Sequence, residues 1–295
     1  MQLAVNIAVL ASIYALISCG YVLVYRVSRV LNLAHGELMM LGAYLLLTVA
    51  QSFAFGPVFA IAAALGLSLT VGVMVYVLLM RKMTGEMVLA AVLATVALGI
   101  LLRGIVILFW SAQIQYPGQA LGVSNPSIMV PAILGSGGAR ISLYAALLVV
   151  SNIIVYALLF GFLRFGRWGV RMRAAGQSPL LAAQRGINLH AMYALAWGLS
   201  TLTGSLAGML IALDSGLSGT IVLIGLKAFP AALVGGLDSL VGALVGSLIV
   251  ATAEILLINY VDALLADVVP FLVLIAMLFV RPWGLFGTKE ALDRV

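Results

Sequence analysis

The residues most able to do chemistry lie where a membrane should forbid them. Between two long apolar runs, the stretch 26–44 reads RVSRVLNLAHGELMMLGAY, with two arginines, an asparagine, a histidine, a glutamate and two glycines. Ionisable groups at the mouth or inside of a membrane span are costly, so they face a protein interior or a water-filled path. Two readings are open. One is helix-start chemistry, with Asn32 as an N-cap and Glu37 near the positive end of the helix dipole. The other makes Asn32, His35, Gly36 and Glu37 gate or pathway residues at the inner mouth of a translocation route. Arg26 and Arg29 need only be anchors that set orientation.

Lys227 and Glu254 pose the same question in the second half of the chain. Glu254 sits about four turns into its helix and should not face lipid, so a partner is expected, either Lys227 or Arg103. Its protonated form could also hydrogen-bond across helices. A structural pair and a substrate contact both remain open for these two residues. Arg103 lies within about two turns of the outer end of its span and can snorkel there, so it is given no function.

The elements that must hold these groups are apolar helices. Of 295 residues, 64% are hydrophobic and 8% charged, and the mean hydropathy is +1.24. A soluble domain carries about 25% charged residues, so soluble globular folding is excluded and the chain reads as an all-α polytopic membrane protein. A span needs about 20 mainly apolar residues. That rule marks 3–25, 31–50, 58–80, 87–109, 141–163, 191–213, 216–235, 239–258 and 263–280. This gives nine spans, or eight if 31–50 or 216–235 only dips into the bilayer. The N-terminus lacks the basic region of a cleaved signal peptide, and one cysteine, Cys19, leaves no disulfide or metal framework.

The basic residues set the orientation. Arg26, Arg29, Arg81, Lys82, Arg164, Arg167, Arg171, Arg173, Arg185, Arg281, Lys289 and Arg294 fall on one side, and only Arg140 on the other, with Asp214, Asp262 and Asp267. The positive-inside rule makes the first side cytoplasmic. Nine spans then place the N-terminus outside and the C-terminus inside. The net charge of +6 is topology, not a nucleic-acid patch.

Residues 110–140, with Pro117, Pro126 and Pro131 and no charge before Arg140, read as an irregular external loop with room for a short surface helix. The cytoplasmic loop 164–190 says more. Ser178 suits an N-cap, Pro179 the first helical position and Gly186 the C-terminal stop, leaving LLAAQR as a short helix. Such a helix can dock into a partner's groove or lie on anionic lipid. Further on, Gly204/Gly208 and Gly242/Gly246 form GxxxG pairs that let helices pack closely. Segment 216–235 holds Gly225, Pro230 and Gly235 and reads as interrupted. Paired interrupted segments in two halves point to a translocation path, and 31–50 is its weak counterpart.

No P-loop, HExxH, paired cysteines or GxSxG occurs, so the chain carries no recognisable ATPase or hydrolase chemistry. It reads as a transporting subunit that takes energy from others, not as an enzyme. A proton- or ion-coupled secondary transporter using Glu37 and Glu254 is one rival, and a scaffold built on packing glycines is another.

Three stretches together resemble one family. NLAHGELMMLGAY (32–44), GRWGVRMRAAGQSPLLAAQRGIN (166–188) and GLKAFPAALVGGLDSLVGALVG (225–246) are similar to permease subunits of branched-chain amino acid ABC transporters, most of all the LivH type, and FLVLIAMLFVRPWGLFG (271–287) agrees. The resemblance implies a type II-like importer permease, a single domain over 1–295 with a weak two-half repeat, in a bacterial inner membrane. It also implies partners: a second homologous permease, two cytoplasmic ATPase subunits and a periplasmic binding protein. ATP is bound by the partners, and no cofactor is expected here. The family's coupling segment falls on Arg167 to Asn188, and within it on Arg167, Gly169, Arg171, Arg173, Ala174, Ser178, Pro179, Leu180, Ala183 and Gly186. The chain departs from the pattern in two places. It lacks an Arg-Pro element after Arg81, and it carries Gln177-Ser178-Pro179 where relatives carry acids. Permeases of the same family serve urea, short amides or other amino acids.

Overall fold

The computed structural model describes residues 1–53, 56–130 and 138–288; Pro131, Lys289 and Arg294 lie outside them. The described chain is almost wholly helical. In order it forms α1 (Gln2–Ser28), α2 (His35–Ser52), α3 (Pro57–Leu78), α4 (Val88–Trp110), α5 (Pro117–Ala120), β1 (Ser127–Val130), β2 (Ala139–Ser142), α6 (Leu143–Phe165), α7 (Arg167–Gln177), α8 (Pro179–Gln184), α9 (Leu189–Ser215), α10 (Val222–Gly235), α11 (Leu240–Tyr260) and α12 (Val269–Val280). Six helices are long and apolar enough to cross a membrane: α1, α3 with its 3-10 extension to Met83, α4, α6, α9 and α11. The apolar stretches Gly219–Gly235 and Val269–Val280 are shorter. The 263–280 span is therefore only partly helical at the expected pitch. Pro270 sits in the first turn of α12, where its missing N–H is harmless, and a 3-10 turn, Ala263–Leu265, precedes it.

The bundle is organised from the inside. Nearly every residue of α2 from His35 to Leu47 is buried, as are most of α9 and the inner-facing length of α1. By contrast only five residues of α3, five of α4 and seven of α6 are buried. Small residues let the buried helices meet. A Cβ on Gly208 would run into the Met39 carbonyl at 2.6 Å, and one on Gly204 into the His35 ring at 2.9 Å, so the first GxxxG pair is the seat of α2 on α9. Side chains on Gly242 and Gly246 would strike the Gly235 and Ala231 carbonyls of α10, which makes the second pair the α10–α11 contact.

The two ends of the bundle differ in charge. At one end the α1 start bonds β2, with Gln2 Nε2 donating to the Arg140 carbonyl at 3.0 Å, and Asp214 accepts from Asn125 Nδ2 at 2.9 Å. The expected irregular loop is partly ordered here: β1 and β2 pair antiparallel, Ser127 opposite Ser142 and Met129 opposite Arg140. Alternation over four residues was too short a signal to separate a hairpin from a loop. The other end gathers Arg29, the 3-10 turn Met80–Met83 that holds Arg81 and Lys82, the helices α7 and α8, and the turn at Asp238, whose carboxylate accepts from Thr288.

Candidate translocation site

After α1 the chain turns back into the bundle. Arg29 takes a left-handed backbone, φ 55°, and the next five residues are not helical. Their polar backbone groups still find partners. The Leu33 N–H donates to Thr95 Oγ1 at 3.1 Å, and the Ala34 and His35 N–H groups donate to Asn32 Oδ1 at 3.2 Å and its carbonyl at 3.3 Å. Asn32 therefore does not cap α2; the cap position is Ala34, and no side chain caps it. An asparagine bonding the backbone two residues on builds a turn of its own, which delays the helix from 31 to 35. Asn32 is 1% exposed, and its Nδ2 has no partner among the described residues.

This turn ends halfway through the bundle, not at its inner mouth. His35 Nε2 lies 3.1 Å from the Ile17 carbonyl, its Nδ1 3.4 Å from Ser200 Oγ, and its ring meets Tyr21 edge-on at 4.7 Å. Ile17 and Ser200 are near the midpoints of α1 and α9. The imidazole is fully buried between Gly20 and Gly204, so it anchors α2 to both helices.

One position on, Gly36 touches α10. A Cβ on Gly225 would lie 2.5 Å from the Gly36 Cα, and one on Gly36 would lie 3.1 Å from the Val222 carbonyl. The first turns of α2 and α10 thus meet back to back. The expected interruption of 216–235 falls before α10, in residues 216–221; α10 then runs through Pro230 without a break to Gly236, φ +106°. Proline removes one ladder bond, and packing against α1, α2, α11 and α12 holds the turn.

Glu37 is 7% exposed and pairs with Arg103 of α4: Nε donates to Oε1 at 2.9 Å and Nη2 lies 2.8 Å from the same oxygen. Arg103 does not snorkel outward. Helical side chains lean towards the N-terminus, which on α4 is away from Trp110 and towards Glu37. Glu254 takes a different partner. Lys227 Nζ lies 2.9 Å from Glu254 Oε1 and 2.7 Å from Asp267 Oδ1, while Tyr14 donates to Glu254 Oε2 at 2.6 Å. Both Glu254 oxygens are engaged, and the lysine sits between two acids, which is how a buried charge is kept affordable. The structure thus brings His35, Gly36 and Glu37 together and sets Lys227 and Glu254 apart as their own network.

With this geometry in view, the comparisons with known proteins decide the family. The model of the branched-chain amino acid transport system / permease component family matches residues 3–278. The chain belongs to this family. It is similar to the high-affinity branched-chain amino acid transport system permease proteins LivH of Salmonella typhimurium and Escherichia coli, each 29% identical over 98% of this chain and 96% of the relative. It is 28% identical to BraD of Pseudomonas aeruginosa at the same coverage. A solved structure, PsaBC from Streptococcus pneumoniae in complex with Fab, superposes with TM-score 0.47 at 14% identity, over 96% of this chain and 93% of that one.

In this permease the loop 164–190 holds two helices where the sequence showed one. α7 lies across the ends of α6 and α1, because Gly169 backs onto the Phe162 carbonyl and Gly176 onto that of Arg26, with Met172 and Ala175 buried between them. Its arginines spread around the outer side. Arg167 and Arg171 are exposed, Arg171 lying over the Trp168 ring at 5.6 Å, and half-buried Arg173 donates to the Arg164 carbonyl at 3.4 Å. Gly169 and Gly176, poor helix formers inside a charged loop, hid this helix. The second, α8, starts as expected. Ser178 Oγ accepts from the Leu181 N–H at 3.4 Å, Pro179 occupies the first turn, and Gly186 follows at φ +75°. Only Ala182 of α8 is buried, while Leu180, Leu181 and Ala183 face outward.

Sequence reasoning missed Thr95, Tyr14, Ser200 and Asp267, whose types are ordinary for their settings. It named Arg103 only as an alternative partner for Glu254 and gave it no function, whereas the structure pairs it with Glu37.

Proposed function

We propose that this chain is the membrane-spanning permease subunit of an ABC importer for branched-chain or related hydrophobic amino acids, driven by ATP hydrolysis in partner subunits. The observation that carries the reading is the meeting of α2 and α10, whose first turns touch through Gly36 and Gly225 in the middle of the bundle. Helices that begin at membrane depth, beside ionisable groups, are how transporters form sites at the midplane. Broken backbone there is tolerated because it is buried in protein.

The finer architecture is part of the same proposal. Counting α2, α10 and α12 with the six long helices gives nine crossings of a type II-like permease, with a weak two-half repeat built around α2 and α10. The basic end of the bundle then faces the cytoplasm of a bacterial inner membrane, as does the C-terminus. Partners are a second homologous permease, two ATPase subunits at α7 and α8, and a periplasmic binding protein at the β1–β2 end. ATP is bound by the ATPases, and this chain needs no cofactor. Exposed Leu180 and Leu181, 70% and 60% accessible, suit a groove on the ATPase.

Reconstitution tests this. Proteoliposomes holding this chain, its paired permease, the ATPases and the binding protein should take up leucine only with ATP. Uptake by this chain alone, driven by a proton or sodium gradient, would sink the reading. The engagement of both Glu254 oxygens already weighs against a free cation site at that acid.

A further inference from the structure

Arg103 is the one charged side chain placed on an otherwise apolar outer face of α4. That face carries Val96, Ile100, Ile107 and Leu108, all exposed. Arg103 lies seven residues from the outer end of α4, about 10 Å below it at 1.5 Å per residue. Its side chain remains 53% exposed. A guanidinium at that depth is not left facing lipid; it faces protein or a water-filled path.

The pair is also incompletely used. Both Arg103 contacts fall on Glu37 Oε1. Among the described residues Oε2 accepts no hydrogen bond, although Glu37 is nearly buried. Gly99, itself buried, lies directly beside the carboxylate, where a Cβ would come within 3.1 Å of it. A guanidinium has five N–H donors in a planar fork matched to a carboxylate. Ile100 and Ile107, at three before and four after Arg103, flank it on the same helical face and are 69% and 57% exposed.

We propose that the Arg103–Glu37 pair is the membrane docking point for the zwitterionic head of an α-amino acid: the open edge of the guanidinium takes the carboxylate, Glu37 Oε2 takes the ammonium, and the Ile100–Ile107 wall takes the aliphatic side chain. The site deepens the transport reading and rests on it. A cation and an anion side by side match a zwitterion with no net change in charge. Without substrate they neutralise each other, so the empty site carries no lone charge. The Lys227–Glu254 network offers no such opening, because both Glu254 oxygens are already bonded.

The test uses the full importer in proteoliposomes, with leucine as the probe. The double substitution Glu37→Gln with Arg103→Gln leaves no unpaired charge. It should lower ATP-driven leucine uptake at saturating loaded binding protein by at least about tenfold, the scale of one lost charge-assisted hydrogen bond. The concentration of loaded binding protein that half-maximally stimulates ATP hydrolysis should not change. Unchanged uptake would mean the pair is structural and would overturn the site. Independently, Ile100→Cys should react with a hydrophilic methanethiosulfonate in the assembled importer, and leucine should slow that reaction; native Cys19 is buried. No reaction, or no protection, overturns the site even if the double variant fails to assemble. If the wild-type importer itself moves no leucine, the transport reading fails instead.

Discussion

Gly225→Ala probes the contact on which the transport reading depends. The added Cβ would lie 2.5 Å from the Gly36 Cα and 3.6 Å from Met39 Cε. Carbon atoms pack at about 3.5–4.0 Å, so α2 and α10 would have to part by about 1 Å. The obstacle is backbone on a buried helix, which cannot rotate aside. Overpacking of this kind costs about 1–3 kcal/mol, against a helix-propensity gain of at most about 1 kcal/mol for replacing glycine by alanine. The net effect is a loss. Gly36→Ala should be milder, because its Cβ would meet the Val222 carbonyl at 3.1 Å and the movable Val222 Cγ1 at 3.3 Å. Gly104→Ala on α4 meets nothing within 4 Å and should be neutral or slightly stabilising. Thermal unfolding of the purified chain in detergent, followed by size-exclusion chromatography, ranks the three. Gly225→Ala should melt several degrees lowest, at roughly 2–4 °C per kcal/mol for domains of 150–250 residues. A Gly225→Ala midpoint equal to that of Gly104→Ala would refute the close packing of α2 on α10. ATP-driven uptake should follow the same order.

Three further outcomes follow from the same geometry. His35→Ala empties the space between Gly20 and Gly204 and should lower the melting midpoint; adding Gly204→Ala, whose nearest remaining contact is then Met39 Cβ at 3.6 Å, should restore part of the loss. Lys227→Met leaves Glu254 with Tyr14 alone, and breaking one side of a buried pair costs about 3–5 kcal/mol; Lys227→Met with Glu254→Gln should melt closer to wild type than Lys227→Met does. At α8, Leu180→Asp with Leu181→Asp should abolish co-purification of the ATPase without shifting the melting midpoint, whereas Ser178→Ala should weaken it modestly through the lost cap, worth about 1 kcal/mol.

Hydropathy found the long helices because each of α1, α3, α4, α6, α9 and α11 satisfies its own backbone and announces itself by length. Ser178, Pro179 and Gly186 located α8 for a similar reason: capping is a local contract between near neighbours. The two glycine pairs were legible as packing faces, although which helix each one receives was not. The site was harder. Asn32 looks like a cap because an N-cap and an asparagine turn use the same side-chain oxygen on nearby N–H groups. Arg103 looked like a snorkelling residue because distance along one helix says nothing of the carboxylate on another.

By itself, then, the sequence determined that this is a helical membrane protein with charge segregated to one end, and its motifs already pointed to the permease family. Those properties rest on composition and near-neighbour spacing. Only the tertiary structure decided that residues 29–34 climb to the middle of the bundle, that Gly36 meets Gly225, and that Glu37 pairs with Arg103 while Glu254 pairs with Lys227. The reason is physical. In a medium without water each buried charge must find an opposite charge, and any of several apolar helices can be turned to supply it. Which one does so depends on how closely the glycines let the helices approach, and that is a property of the packed bundle.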